Sequence, residues 1–181
     1  MVKYKNANDS KVSITELMRP THSNFGGKVH GGYILNLMDQ IAFACSSKHS
    51  QSYCVTASVN RVDFLNPVDV GDLLTLKASI NYTGRTSMVV GVRVEAENII
   101  TGEKRHCNSS YFTMVAKDEK GKNLKIPGLI IKDNEGMRRF ARSKERKLSA
   151  FHRDSKYDAK NFKIKEYSDF LKDENIQLDL K

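Results

Sequence analysis

The chain has no tryptophan, three prolines, three cysteines and only 8% aromatic residues among its 181 residues. Each scarcity excludes something. Cys45, Cys54 and Cys107 are odd in number and widely spaced, so they make neither a disulfide framework nor a metal-ligand pattern. A reduced, cytoplasmic chain is the simplest reading. No apolar run approaches the length of a membrane span. The first residues, Met1 to Lys11, are polar and are not expected to act as a signal peptide. Aromatics are few and are not interleaved with basic residues, which argues against a single-stranded nucleic-acid binder. There is no internal repeat and no low-complexity tract.

What is present fits a globular domain, with 39% hydrophobic and 28% charged residues. The net charge of +9 is spread along the chain. Spread positive charge favours anionic partners in general without choosing among them.

The alternation of Val12 and Ile14 predicts a first strand ending before Pro20. Thr21 to Val29 contains Asn24, Gly26 and Gly27 and reads as a loop. A helix is then expected from about Gly31 to about Ser47. It is apolar on nearly every side, and such a helix must be buried all round. Asp39 sits in the middle of it. A carboxylate there needs a partner, a wet cleft or a chemical task.

Four strands follow. Val55 to Asn60 alternates, and its phase slips near Arg61-Val62, which predicts a bulge. Leu74 to Tyr82 and Met88 to Ala96 alternate cleanly across the turn Thr83-Gly84-Arg85, and Glu103 to Ala116 makes the last strand. Short turns imply antiparallel hairpins. The expected fold class is therefore α+β, with an antiparallel sheet wrapped around one long helix. Residues 1–121 are expected to form this domain and 122–181 a charged extension. Within the extension, Asn134 to Ala150 reads as an exposed helix, and Lys156 to Leu180 reads as a second helix or a tail. The basic segment Met137 to Lys147 reads first as a solvated helix face. It could also reach phosphates of a ligand on a neighbouring subunit. No nucleic-acid-binding motif accompanies it.

Gly31 and Gly32 open the helix, where free N–H groups and the positive end of the helix dipole can hold a developing oxyanion. Taken alone, a glycine pair fits helix packing as well. Asp39 lies a little over two turns further on, about 12 Å along the axis. One small carbonyl cannot touch both ends of that span. If both act on one substrate, two chains must share the site, with their helices antiparallel across a twofold axis.

The run Asn24-Phe25-Gly26-Gly27-Lys28-Val29-His30-Gly31-Gly32 with Leu37-Met38-Asp39 resembles the acyl-CoA thioesterases of the hotdog fold. The nearer match is the bacterial and brain-type acyl-CoA hydrolase branch. Ala57 to Val68 with Gly71-Asp72, and Gly84-Arg85-Thr86-Ser87-Met88, are similar to the same branch, and together these stretches span roughly residues 12–118. The resemblance implies a five- or six-stranded sheet. It implies Asp39 as general base or nucleophile, Asn24 as a positioning group from the facing protomer, and the Gly31 and Gly32 amides as oxyanion donors. It places Gly84, Arg85, Thr86 and Ser87 at the coenzyme A site, with Val59, Asn60 and Arg61 as further contacts along the pantetheine arm. It also implies acyl-CoA as substrate and, beyond the dimer that the helix geometry requires, three dimers commonly stacked in a hexamer. Thioester hydrolysis needs water, a base and an oxyanion site, so no metal or redox cofactor is expected. His30 is expected only to orient its loop. Other classes stay open from the residues alone: a non-catalytic acyl-CoA sensor, a hydratase or dehydratase on the same fold, and nucleic-acid binding through the basic run.

Overall fold

The long helix forms where expected and runs further. In the computed structural model, which describes residues 4–156, α1 spans Gly31–Ser50. His30 caps its start, its Nδ1 accepting from the Gly32 N–H. Gln51 ends it in the left-handed region at φ 57°, with its N–H donating to the Ser47 carbonyl. Lys5 Nζ donates to the His49 carbonyl in the last turn at 2.9 Å.

The expectation that α1 is buried on every side is corrected. Ile34, Leu37, Met38, Ile41, Ala42 and Cys45 face the core, at helical spacing. Leu35, Asn36, Asp39, Gln40 and Phe43 are exposed on the opposite face. The run read as apolar all round because Leu35 and Phe43 interrupt the polar side. One sheet covers one helix face, so these residues are left for another partner.

The main sheet contains β2 (Val12–Leu17), β3 (Tyr53–Val59), β4 (Asp63–Phe64), β5 (Asp72–Thr83), β6 (Ser87–Asn98) and β7 (Lys104–Lys117). Its order is β2-β5-β6-β7-β3, with β4 also on β7, and every pairing is antiparallel. The alternation chooses the face. Leu74, Leu76 and Ile80 of β5 and Val90, Val92 and Val94 of β6 point into the core with the buried side of α1. Burying side chains of this size contributes about 1.5–3 kcal/mol each.

The expected bulge near Arg61-Val62 is displaced. The register shift falls between Thr56 and Ser58, and residues 60–62 are a break between β3 and β4. β3 is a sheet edge, and Thr56 to Val59 are all exposed on it. A bare edge presents unpaired N–H and C=O groups ready to pair with another chain.

One pairing was not foreseen. β1 (Tyr4–Asn6) and β8 (Gly128–Ile130) form a parallel two-stranded ladder. Between Gly121 and β8 the chain stays on the body, and Ile126 is buried in the core. α2 spans Asn134–Lys156. The chain divides into two compact units, Met1–Ser143 and Lys144–Lys181. Most of the expected second helix or tail lies outside the described residues. Among the described residues, no helix is long and apolar enough to cross a membrane.

His49 closes the far end of α1. It is fully buried, its Nδ1 lies 3.0 Å from the Ser10 hydroxyl, and its Nε2 lies 3.2 Å from the Pro127 carbonyl. A carbonyl only accepts, so Nε2 carries the proton and Ser10 donates to Nδ1. Burial lowers the imidazole pKa, and the Pro127 hydrogen bond opposes this in part. Below about pH 6.5 the unfolded chain then binds a proton that the folded chain refuses. Stability is therefore complete above that pH and falls as the pH drops below it. Urea midpoints at pH 7.5 and 5.5 check this: the fall between them is expected to be smaller in His49→Gln than in the unaltered protein.

Candidate active site

Two segments flank the amino end of α1. The loop from His22 to His30 is closed by the Ser23–Val29 bridge and by the His30 N–H donating to the His22 carbonyl at 2.8 Å. His22 stacks on Tyr33 of α1 with ring centroids 4.0 Å apart. The Tyr33 hydroxyl donates to Glu16 at 2.6 Å, and this bond raises the phenol pKa. Asn24 sits exposed in the loop. Its Oδ1 accepts from Gly26 N–H at 2.9 Å and Lys28 N–H at 3.1 Å, which leaves its amide nitrogen to donate outward.

The loop is tied down by charge. Lys28 pairs with Asp69, Asp69 with Arg105, and Arg105 with the buried Asp72. The Lys28 hydrogen bond holds the Asp69 pKa below its ordinary range.

The two glycine amides are not equivalent. Gly32 N–H is occupied by His30 Nδ1 at 2.9 Å. Gly31 N–H has no partner among the described residues, and the Phe64 ring packs where a Gly31 side chain would stand: a Cβ added there would meet Phe64 Cζ at 3.2 Å. His30 is thus a cap, as its position suggested.

Asp39 is exposed on the outer face of α1, so the protomer does not supply the surroundings expected from the sequence. It has one specific partner: the Thr56 hydroxyl donates to Asp39 Oδ1 at 2.6 Å. Thr56 was missed in the sequence, where it is one alternating residue of a strand. Only the packing of β3 beside α1 gives it a role. Asp39, Thr56, Gln40, Phe43, Tyr53 and Val55 line an open hollow of about 480 Å³, with Phe43 and Tyr53 edge to face at 5.8 Å. Cys45 on the same helix is no nucleophile, because burial pushes its thiol up to about 12.

The expected coenzyme A contacts fall in two places. Ser87 is level with Val55 through Val115, whereas Val90 is level with Val59 through Phe112. Along β6 those levels are roughly 10 Å apart, at about 3.4 Å per residue. Gly84, Arg85, Thr86 and Ser87 therefore lie at the β5–β6 turn end of the sheet, and Val59, Asn60 and Arg61 lie roughly 10 Å further in, level with the middle of β6. Arg85 is exposed and has no charged partner among the described residues. Arg61 Nε is already bonded to Asp63 at 2.7 Å. The Arg85 guanidinium is accordingly the freer of the two. Asn60 is anchored, its N–H donating to the Tyr111 carbonyl at 2.9 Å, while the Val59 side chain is exposed at the edge. In the basic run, Arg138 and Arg139 both bond Glu135 of the same helix.

Comparison with known proteins agrees with this architecture. Residues 26–103 match the thioesterase superfamily model. Protein VdlD of Helicobacter pylori is 44% identical over 78% of this chain and 80% of its own. The uncharacterized acyl-CoA thioester hydrolase YkhA of Bacillus subtilis is 33% identical over 70% and 74%. Among solved structures, an apo-hexameric acyl-CoA thioesterase superposes with a TM-score of 0.82 at 37% identity, covering 84% of this chain and 97% of that one. The acyl-CoA hydrolase of Staphylococcus aureus, solved with butyryl coenzyme A, coenzyme A and coenzyme A disulfide, gives 0.78 at 27% identity over 93% and 99%. The chain belongs to the hotdog-fold acyl-CoA thioesterases of the thioesterase superfamily.

Proposed function

We infer that this chain hydrolyses acyl-CoA thioesters to a free carboxylic acid and coenzyme A, at a site shared by two protomers. The observation that carries the reading is the Asp39–Thr56 pair on the bare face of α1, beside the open edge of β3. Asp39 takes a proton from water. The resulting hydroxide adds to the thioester carbon, and the carbonyl oxygen becomes an oxyanion. A Gly31 N–H donates to that oxyanion, with the positive end of α1 behind it. Collapse expels coenzyme A as a thiolate, which takes the proton from Asp39. Direct attack by Asp39 gives the same products through an anhydride.

Gly31 and Asp39 of one chain are about 12 Å apart, so the Gly31 that serves a given Asp39 belongs to the facing protomer. Exposed Leu35 and Phe43 on α1 and exposed Val59 on the β3 edge supply apolar surface for that pairing. The S. aureus enzyme has been solved with alanine in place of an asparagine, an aspartate and a threonine. Those three positions have the same spacing along its chain as Asn24, Asp39 and Thr56 here. We assign Asn24 to positioning water or substrate from the facing protomer, and Arg85, Thr86 and Ser87 with Val59, Asn60 and Arg61 to coenzyme A. No metal or redox cofactor enters this chemistry. Three dimers stacked as a hexamer is the assembly we favour, given hexameric relatives. A reducing cytoplasm suits three free, buried cysteines.

Free-thiol release from acyl-CoAs of increasing chain length tests the activity. Mixing tests the shared site. Asn24→Ala and Asp39→Asn protein, each inactive, are unfolded together and refolded. Half of the resulting dimers are mixed and each holds one intact site, so about a quarter of the original rate should return. No recovery would place each site within one chain. Thr56→Val removes the donor that orients the carboxylate; kcat is expected to fall about tenfold, with KM within a factor of two.

A further inference from the structure

Asn108 on β7 is fully buried at 0% exposure, and neither its amide oxygen nor its amide nitrogen has a hydrogen-bond partner among the described residues. Leaving such a group unpaired costs about 1–3 kcal/mol. Most buried polar groups are paired, so one that is not calls for a reason.

Register says where the amide points. Asn108 is directly opposite Phe64 on β4 and opposite Val94 on β6. Directly opposed residues in an antiparallel pair send their side chains to the same face. Val94 belongs to the core beneath α1, and the Phe64 ring rests on Gly31. The Asn108 amide therefore faces the amino end of α1. Further along the same face, the Ser110 hydroxyl donates to the Asn60 carbonyl at 3.1 Å. The neighbouring residues on this face, Val92, Val94, Phe112 and Met114, are apolar. Asn108 and Ser110 thus make a polar path from the proposed pantetheine strand to the proposed oxyanion amide.

The oxyanion site also lacks a donor. With Gly32 N–H occupied by His30, α1 offers only Gly31 N–H. Sites of this kind combine donors from backbone N–H groups and from side chains such as asparagine.

We propose that Asn108 Nδ2 is the second oxyanion donor, beside Gly31 N–H of the same protomer, and that the thioester carbonyl reaches both by displacing the Phe64 ring. Phe64 is 52% exposed on a two-residue strand, so its ring has solvent to move into. The proposal rests on the thioesterase reading.

The test is Asn108→Leu, which replaces both amide heavy atoms by methyl groups and keeps the branching and heavy-atom count of the side chain. Removing the unpaired buried amide relieves its desolvation cost, which offsets the crowding introduced by the larger methyl groups. The variant is expected to melt at the same temperature or higher while kcat falls about 100-fold and KM stays within about threefold. Asn108→Ser, which is smaller, serves as the second variant should leucine not fit. A kcat within a factor of two of the unaltered protein in a folded variant overturns the proposal. So does a loss of kcat that appears only where the melting transition is also lost. If the unaltered protein releases no thiol from any acyl-CoA, the thioesterase reading fails instead. If it does and the variants match it, only the Asn108 assignment fails.

Discussion

Asp39→Asn is expected to lower kcat for thioester hydrolysis by a factor of about 10²–10⁴, the usual yield of a positioned general base. Asparagine matches aspartate in shape, and its amide oxygen can still accept from Thr56. Asp39 is exposed on the protomer and packs on nothing in the core. Stability should therefore change by no more than about 0.5 kcal/mol. KM should hold, because the proposed coenzyme A contacts are elsewhere. Steady-state kinetics on the best acyl-CoA of the panel, beside a melting curve, separates the cases. A lost rate with an unchanged melt makes Asp39 a chemical group. An unchanged rate removes it from the mechanism and leaves the Asp39–Thr56 bond as structure. No turnover at all, with acyl-CoA still bound, would favour a sensing protein on this fold.

Arg105→Met is expected to destabilise the fold by about 3–5 kcal/mol. Asp72 is only 2% exposed, and Arg105 Nη2 is its charged partner. The same guanidinium bonds Asp69 at 2.8 Å and the Pro67 carbonyl at 3.1 Å. Methionine retains most of the apolar stem, so the loss is electrostatic. Asp72 would keep one donor, the Asp69 N–H at 2.8 Å, against the cost of a buried carboxylate. For a chain of this size the melting temperature should fall by roughly 10 °C. Adding Asp72→Asn removes the stranded charge, so the double variant should be more stable than Arg105→Met alone. Urea unfolding of the three proteins decides it. A single variant within 1 kcal/mol of the original would show the cluster to be solvated in practice. Because Lys28 joins the cluster through Asp69, the same variant should loosen the Asn24 loop and raise KM or lower kcat in whatever folded fraction remains.

Much of the architecture was legible because it is local. The alternation of Leu74 to Tyr82 and of Met88 to Ala96 reports one buried face directly. The helix from Gly31 announced itself as an apolar run opened by two glycines, expected to about Ser47 and found to reach Ser50, and Asp39 stood out as the carboxylate in it. What failed was the inference that α1 is buried all round. Leu35 and Phe43 are apolar, yet they lie on the face that a single sheet does not cover. Gly31 and Gly32 look alike as letters; the ring of His30 distinguishes them by occupying one amide. Arg61 was the second candidate for phosphate after Arg85, and Asp63 proved to hold it.

By itself the sequence determined the long helix, the core faces of β5 and β6 and the position of the candidate base. These follow from side-chain periods of two and 3.6 residues, which act between near neighbours. Only the tertiary structure decided which distant residues meet: Thr56 with Asp39, Phe64 with Gly31, Asn108 with Phe64, and β1 with β8. Those meetings depend on strand order and register, and register is settled by the packing of the whole sheet on the helix rather than by any stretch of chain.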